Sequence, residues 1–205
     1  MDRDALGQHR LLLASENRGK LAELRALVQS MRIFVQSQTD LGIKGAEEPH
    51  DTFVENALAK ARHGARASGW PTLADDSGLC CEALQGAPGV RSARYAGEQA
   101  SDEQNNARLV RELTGVSERC AHYRCVVVAL RWWADPEPLI ADGRWDGQIV
   151  DQPQGSGGFG YDPHFWLPQL GCSAAMLDAT QKNQISHRAI AMRAMVGMLH
   201  ERWGW

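Results

Sequence analysis

Leu73-Ala74-Asp75-Asp76-Ser77-Gly78-Leu79 is the stretch on which the fold turns. Thr72-Leu73-Ala74 is short and apolar enough to be a buried strand, and it runs directly into Asp75-Asp76-Ser77-Gly78, a turn-forming run. Two carboxylates and a hydroxyl are thereby expected at a strand's end, the place where α/β sheets bind ligands. Adjacent carboxylates repel, so such a pair is exposed, shares a proton or binds a cation. A solvated acidic turn is the plainest of these outcomes.

Upstream, Leu11-Leu12-Leu13-Ala14 reads as a buried strand, followed by Ser15-Glu16-Asn17-Arg18-Gly19-Lys20 and a helical pattern carrying Leu21, Leu24, Leu27, Val28 and Met31. In a strand, polar turn and helix, the free N–H groups at the helix start can hold a phosphate. Lys20 in the first turn opposes the helix dipole, and facing an anionic ligand would account for it. A capped helix with a solvated lysine is the alternative. The turn is not a Walker A loop, since Gly19-Lys20 is not followed by Ser or Thr. Ile33-Phe34-Val35 is a short strand, and Glu47 and Glu48 lie in the loop after it. Asp51 or Thr52 can cap a second helix with Phe53, Val54, Ala57, Leu58 and Ala61 on one face. Gly69-Trp70-Pro71 ends that helix.

Downstream, Gly86 to Gly97 is a glycine- and proline-punctuated loop with two arginines, of a length that is functional or mobile in compact domains. Ser101-x-x-Gln104 opens a third helix with Leu109, Val110 and Leu113 inward and Gly115 as its stop. Tyr123–Trp133 and Ile140–Val150 are strands expected to pair antiparallel across Asp135-Pro136-Glu137-Pro138. Gly143 and Gly147 suggest bulges or close backbone approach. Gly155-Ser156-Gly157-Gly158-Phe159-Gly160-Tyr161-Asp162-Pro163 lets a ligand approach the main chain, and its two aromatics could stack on a base. A tight turn with packed aromatics is the other reading. Lys182 precedes Ser186, the expected cap of a last helix that buries Ile190, Ala191, Ala194, Met195, Met198 and Leu199. His187 and Arg188 fall in its first turn, the wrong end for cations unless they face an anion or a base edge. Trp203 and Trp205 are expected to pack on the surface or at an oligomer contact.

At 205 residues, 43% hydrophobic and 23% charged, the chain is expected to form one domain over 1–205, with room for a sizeable sub-lobe. A net charge of −3 provides no general basic field, which argues against nucleic-acid binding. No apolar run approaches the roughly 18 residues that span a bilayer, and the polar Met1–Arg10 is no secretory signal. The five cysteines are odd in number and form no C-x-x-C pair, which fits reduced thiols in a cytoplasmic protein. Cys120 and Cys125 flank His122, yet Val126-Val127-Val128-Ala129-Leu130 makes a core strand there rather than a metal site.

Taken in order, these pieces resemble the inosine/xanthosine triphosphate pyrophosphatase family, which removes non-canonical purine nucleotides. The resemblance runs from Leu11 to about Met198. It rests on Ser15-x-Asn17-x-x-Lys20, Ala46-Glu47-Glu48, Phe53-x-Glu55-Asn56-Ala57, Ala74 to Leu79, Gly86 to Gly89 with Ser92 to Gly97, Gly157 to Pro163, and Ser186-His187-Arg188. It implies a mixed α/β fold with a highly twisted central sheet, flanking helices and two lobes with a cleft between them. It also implies a homodimer, and hydrolysis of ITP, dITP or XTP to the monophosphate and pyrophosphate with Mg²⁺. By the same resemblance Glu47 and Asp76 hold the metal, with Glu48 and Asp75 beside them, and Asp76 activates the water. Ser15, Glu16, Asn17, Arg18, Gly19 and Lys20 grip the triphosphate, Ser77 contacts substrate, and Lys182 adds charge at the nucleotide. Phe159 stacks on the purine, Gly160, Tyr161 and Asp162 shape its pocket, and His187 and Arg188 donate to the 6-keto oxygen. Glu16 departs from the pattern as an acid inside the phosphate turn. A nucleotide-binding sensor without turnover and a pyrophosphatase for modified pyrimidine nucleotides are the rival readings.

Overall fold

The computed structural model describes residues 9–205, so most of the Met1–Arg10 stretch read above lies outside the described residues. The elements are β1 (His9–Leu13), α1 (Arg18–Leu27), β2 (Ile33–Ser37), α2 (Phe53–Ser68), β3 (Thr72–Cys81), α3 (Asp102–Glu112), β4 (Cys120–Leu130), β5 (Leu139–Ile149), β6 (Phe165–Leu167), β7 (Cys172–Ser173), α4 (Ala179–Ile185) and α5 (His187–Trp203). The strands form one seven-stranded sheet in the order β2-β1-β3-β4-β5-β6-β7. It is mixed: β1 runs parallel to β2 and β3, while β6 is antiparallel to β5 and β7. The fold class is therefore α/β, as expected.

The chain divides into two compact units, one of residues up to Asp76 with Val126–Asp142 and Ile190–Trp205, the other of Ser77–Cys125 and Gly143–Ala189. In the first unit, parallel pairing requires a crossover between strands, which α1 and α2 supply. Leu11, Leu12 and Leu13 are fully buried, as expected for a parallel strand covered on both faces. Thr52 caps α2 by accepting from the Glu55 N–H, and Gly69 ends it in the left-handed region at φ 72°. Ala57 and Ala61 of α2 pack on Ala14, Ala74, Val128 and Leu130. Small residues on the helix bring it close to the sheet: a Cβ added at Gly64 would meet the Leu12 and Thr72 side chains at 3.0 Å. In the second unit Leu79, Leu109, Leu113, Tyr123, Trp145 and Phe165 form the core, and Ser101 with Gln104 makes the expected capping box of α3. Gly147 is the close approach anticipated for it, because a Cβ there would meet the Phe165 ring and the Trp166 carbonyl at 2.6 Å.

The structure corrects several expectations. Asp75-Asp76-Ser77-Gly78 is not a turn: β3 continues through it to Cys81, with Asp75 2% and Asp76 6% exposed. Alternation along a strand sends the two carboxylates to opposite faces, so they neither share a proton nor need solvent. β4 stops at Leu130, and Trp132 and Trp133 stand half-exposed in the following turn, which Asp135 closes by accepting from the Arg131 and Glu137 N–H groups. On α5 the buried apolar side chains are Ala189, Ala191, Met192, Met195 and Leu199, whereas Ala194 is exposed and Ile190 and Met198 are half-buried. The inward stripe thus runs through Met192 rather than Ala194. The Gly86–Gly97 loop contains a short helical turn, Gly89–Arg94, tied down where Ser92 Oγ donates to the Gly89 carbonyl and accepts from the Leu79 N–H.

Candidate active site

In the first unit, β1 leads into the turn that starts α1. Asn17 is the N-cap: its Oδ1 accepts from the Gly19 and Lys20 N–H groups at 2.8 and 3.2 Å, while Ser15 Oγ accepts from the Asn17 N–H at 3.2 Å. Two of the backbone donors expected to face a phosphate are thus already engaged by Asn17. Glu16, Arg18 and Gly19 are exposed. Lys20 does not extend into solvent. Its Nζ donates to both Asp75 oxygens at 2.9 and 2.8 Å.

Asp76 faces α2. Asn56 Nδ2 donates to its Oδ2 at 3.2 Å, and Lys60 Nζ lies 3.4 Å from Oδ1. The same Lys60 donates to Glu48 Oε1 at 2.8 Å, so one ammonium holds two carboxylates. Asn56 also pins the loop that carries Glu48, accepting from the His50 N–H at 3.0 Å and donating to the His50 carbonyl at 3.1 Å. Burial pushes the Asp76 carboxyl above its ordinary pKa; Lys60 opposes the rise and Glu48 adds to it. Burial also acts against the charge on Lys60, but Asp76 and Glu48 outweigh it and raise its pKa. Glu47 is exposed, so Glu48 is the acid that the loop brings beside Asp76. Among the described residues no three His, Cys, Asp or Glu side chains converge as a metal site.

In the second unit, Phe159 is 58% exposed at the tip of its glycine loop. Lys182 Nζ stands 4.6 Å and Arg188 Cζ 5.9 Å from its ring centroid. Arg188 Nη2 donates to Ser77 Oγ at 3.3 Å. His187 is buried and stacked on Tyr123, with ring centroids 4.7 Å apart and planes 8° off parallel. Asp162 is buried and works on the loop itself: its Oδ2 accepts from the Phe159 N–H at 2.9 Å and is ion-paired with Lys182, while Tyr123 Oη lies 3.4 Å from Oδ1. Gly158 sits at φ +73°, and a Cβ there would collide with the Asp162 carboxylate. Tyr161 is buried, its hydroxyl donating to the Ser92 carbonyl at 2.8 Å, so only Phe159 of the two loop aromatics presents an open face.

The residues that sequence reasoning missed are polar positions inside helical or strand patterns. Lys60 follows Asn56 at i+4 on one face of α2, a spacing visible among the alanines. Tyr123 was hidden in an apolar strand run. Asp102 and Asn106, also at i and i+4, lie in α3, where the sequence pattern pointed only to a cap and an inward apolar face.

The lysine-bearing helix start and buried, lysine-paired carboxylates of the first unit, and the exposed phenylalanine beside two cations in the second, are each side-chain sets of the kind nucleotide hydrolases use. The Ham1 family profile matches residues 11–198, and the chain belongs to that family. A dITP/XTP pyrophosphatase of Ralstonia nicotianae is 58% identical over 193 residues, covering 93% of this chain and 96% of its own. One from Nitrosomonas europaea is 55% identical over 193 residues, covering 94% and 95%. The structure of a HAM1 protein from Coxiella burnetii superimposes with a TM-score of 0.92 at 43% identity, covering 95% of this chain and all of that one. The Ham1 protein of Staphylococcus aureus gives 0.85 at 37% identity, covering 93% and 97%.

Proposed function

We propose that this protein hydrolyses non-canonical purine nucleoside triphosphates (dITP, ITP and XTP) to the monophosphate and pyrophosphate. The observation that carries the reading is the buried Asp76 carboxylate, held by Asn56 and Lys60 and accompanied by Glu48. A carboxylate with a raised pKa suits proton abstraction from water. Asp76 takes the proton as the water oxygen bonds to the α-phosphorus; the bond from that phosphorus to the α–β bridging oxygen breaks, and pyrophosphate leaves.

Glu48 and Asp76 already converge on a cation, the Lys60 ammonium, and their oxygens are the donors a hard divalent ion takes. Mg²⁺ would be held by Asp76 with Glu48 or Glu47, and when bound it would offset the charge of the triphosphate. Ser15, Lys20 and the turn between them would bind the phosphates, with Ser77 and Lys182 contacting the nucleotide. Phe159 would stack on the base, and His187 and Arg188 would donate to its 6-keto oxygen. Adenine offers an amino donor there, which would leave those donors unpaired and so be rejected. The protein would act as a homodimer in the cytoplasm. Among the described residues no helix is long and apolar enough to cross a membrane, and no disulfide joins the five cysteines.

Pyrophosphate release should be measured across dITP, ITP, XTP, ATP, GTP and modified pyrimidine triphosphates, with and without Mg²⁺. Metal-dependent release from the first three is expected. Binding of inosine nucleotides without release would make the protein a sensor, and preference for the pyrimidines would move it to another substrate class.

A further inference from the structure

Beyond the groups that would touch the nucleotide, the loop that presents Phe159 is held by side chains of α3, a helix the base-stacking reading does not use. Gly160 is gripped at both ends of its backbone. Its N–H donates to Asp102 Oδ2 at 2.6 Å, and its carbonyl accepts from Asn106 Nδ2 at 2.8 Å. The second hydrogen of the same Asn106 amide goes to the Asp102 carbonyl at 2.8 Å, tying the two clamp residues together. Asp102 and Asn106 sit one helical turn apart, so α3 presents them side by side.

Two further features argue that this grip is more than loop packing. Gly160 lies at φ +61°, a conformation open to glycine, and it has no side chain of its own to anchor the loop. Asn106 is also buried while its Oδ1 has no hydrogen-bond partner among the described residues. An unmet buried acceptor is unfavourable, and an apolar residue of similar size would avoid it. What the amide contributes here is its two donors, one of which goes to the Gly160 carbonyl.

We propose that Asp102 and Asn106 are positioning residues for base recognition: they fix the Gly160 peptide and through it the place from which the exposed Phe159 ring projects. This rests on the reading of Phe159 as the base platform. A side chain of 58% exposure gains little orientation from packing. The point from which it projects is set by its main chain, which is fixed on one side by Asp162 and on the other by α3, and Lys182 and Arg188 stand over the ring so placed. Loss of the clamp frees the ring, and the cost falls on binding of the base rather than on hydrolysis at the phosphates.

The test is steady-state kinetics with ITP and Mg²⁺, and with ATP for comparison, on Asp102→Ala, Asp102→Asn, Asn106→Asp and Phe159→Ala, each checked for its melting temperature. Asp102 is exposed at a helix start, so its variants keep the fold even if Asn106→Asp does not. Asp102→Ala should raise KM for ITP about tenfold, the scale of one charge-assisted hydrogen bond, with kcat within about twofold. Its preference for ITP over ATP should fall, and Asp102→Asn, which keeps an acceptor, should restore both. If Phe159→Ala raises KM but Asp102→Ala leaves KM and base preference at wild-type values, the clamp is overturned while the base platform stands. Lowered melting temperature and kcat at unchanged KM also overturn it. If Phe159→Ala itself leaves KM and base preference unchanged, the platform falls, and the clamp with it.

Discussion

Lys20 Nζ sits 2.9 and 2.8 Å from the two carboxylate oxygens of Asp75, a residue 55 positions further along the chain. Asp75 is 2% exposed and Lys20 partly buried, so the lysine offsets a charge whose burial is unfavourable. Removing one partner should therefore cost far more than removing both. Lys20→Met is expected to lower the unfolding free energy by about 2–4 kcal/mol, and the double variant Lys20→Met/Asp75→Leu to recover most of that. Urea unfolding of the two singles and the double gives the coupling; simple additivity would show that the ions do not act as a pair.

Asp76 gives a different kind of prediction because it would act as a base. Asp76→Asn should lower kcat by more than about a hundredfold while inosine nucleotides still bind. An active Asp76→Asn enzyme would remove the residue from its role. The pH profile follows from its neighbours. A base works when deprotonated, so kcat/KM should fall as pH drops through the raised Asp76 pKa. Lys60 pulls that pKa down and Glu48 pushes it up. Lys60→Met should therefore move the acid limb to higher pH, and a limb that stays in place or moves down would contradict the assignment.

Much of this arrangement was legible in the sequence, and the parts that were not share a cause. The Leu11–Leu13 strand, the Thr52 and Ser101 caps and the Gly147 approach follow from local pattern, which the tertiary structure respects. Asp75-Asp76-Ser77-Gly78 has turn composition yet lies inside a strand, because Lys20 and Lys60 arrive from distant segments to neutralise it. Local propensity carries no knowledge of such partners. Likewise Tyr161 looks like a second stacking aromatic until Ser92, from a loop far upstream, is seen to take its hydroxyl. β6, β7 and α4 are too short for hydrophobic periodicity to reveal.

The two loop aromatics should accordingly behave in opposite ways. Phe159→Ala should raise KM for ITP by about tenfold or more, the worth of one stacked base, with the unfolding free energy little changed because the ring is exposed. Tyr161→Phe should instead cost about 1 kcal/mol of stability through the lost hydrogen bond to the Ser92 carbonyl. Kinetics and urea midpoints on the same preparations separate them; an exchange of the two phenotypes would reverse the assignment.

Arg188 lies beside both Ser77 and Phe159, so its removal should affect recognition before chemistry. Arg188→Ala is expected to raise KM for ITP more than it changes kcat and to narrow the gap between ITP and ATP. Unchanged selectivity over ATP would take the base-reading role away from it.

Asp135 supplies a stability prediction at the turn between β4 and β5. Its carboxylate is buried, accepts from Arg131 Nε and Nη2 at 2.8 Å each, and accepts from the Arg131 and Glu137 N–H groups at 3.0 Å. The Arg131 side chain first, and then these backbone donors, lower its pKa from 3.8 to about 2. A carboxylate whose pKa is depressed by folding contributes stability that is complete above its unfolded pKa and is lost as pH falls through the folded one. The contribution should therefore be whole at pH 6 and disappear between about pH 4 and pH 2. A shift of this size corresponds to about 2 kcal/mol. Asp135→Asn should be less stable than the parent by about 1–2 kcal/mol at pH 6, with the difference narrowing as acid is added. Urea midpoints of both proteins at a series of pH values decide the matter. A gap that stays constant down to the acid transition would mean that the turn is held by its shape and not by the charge on Asp135.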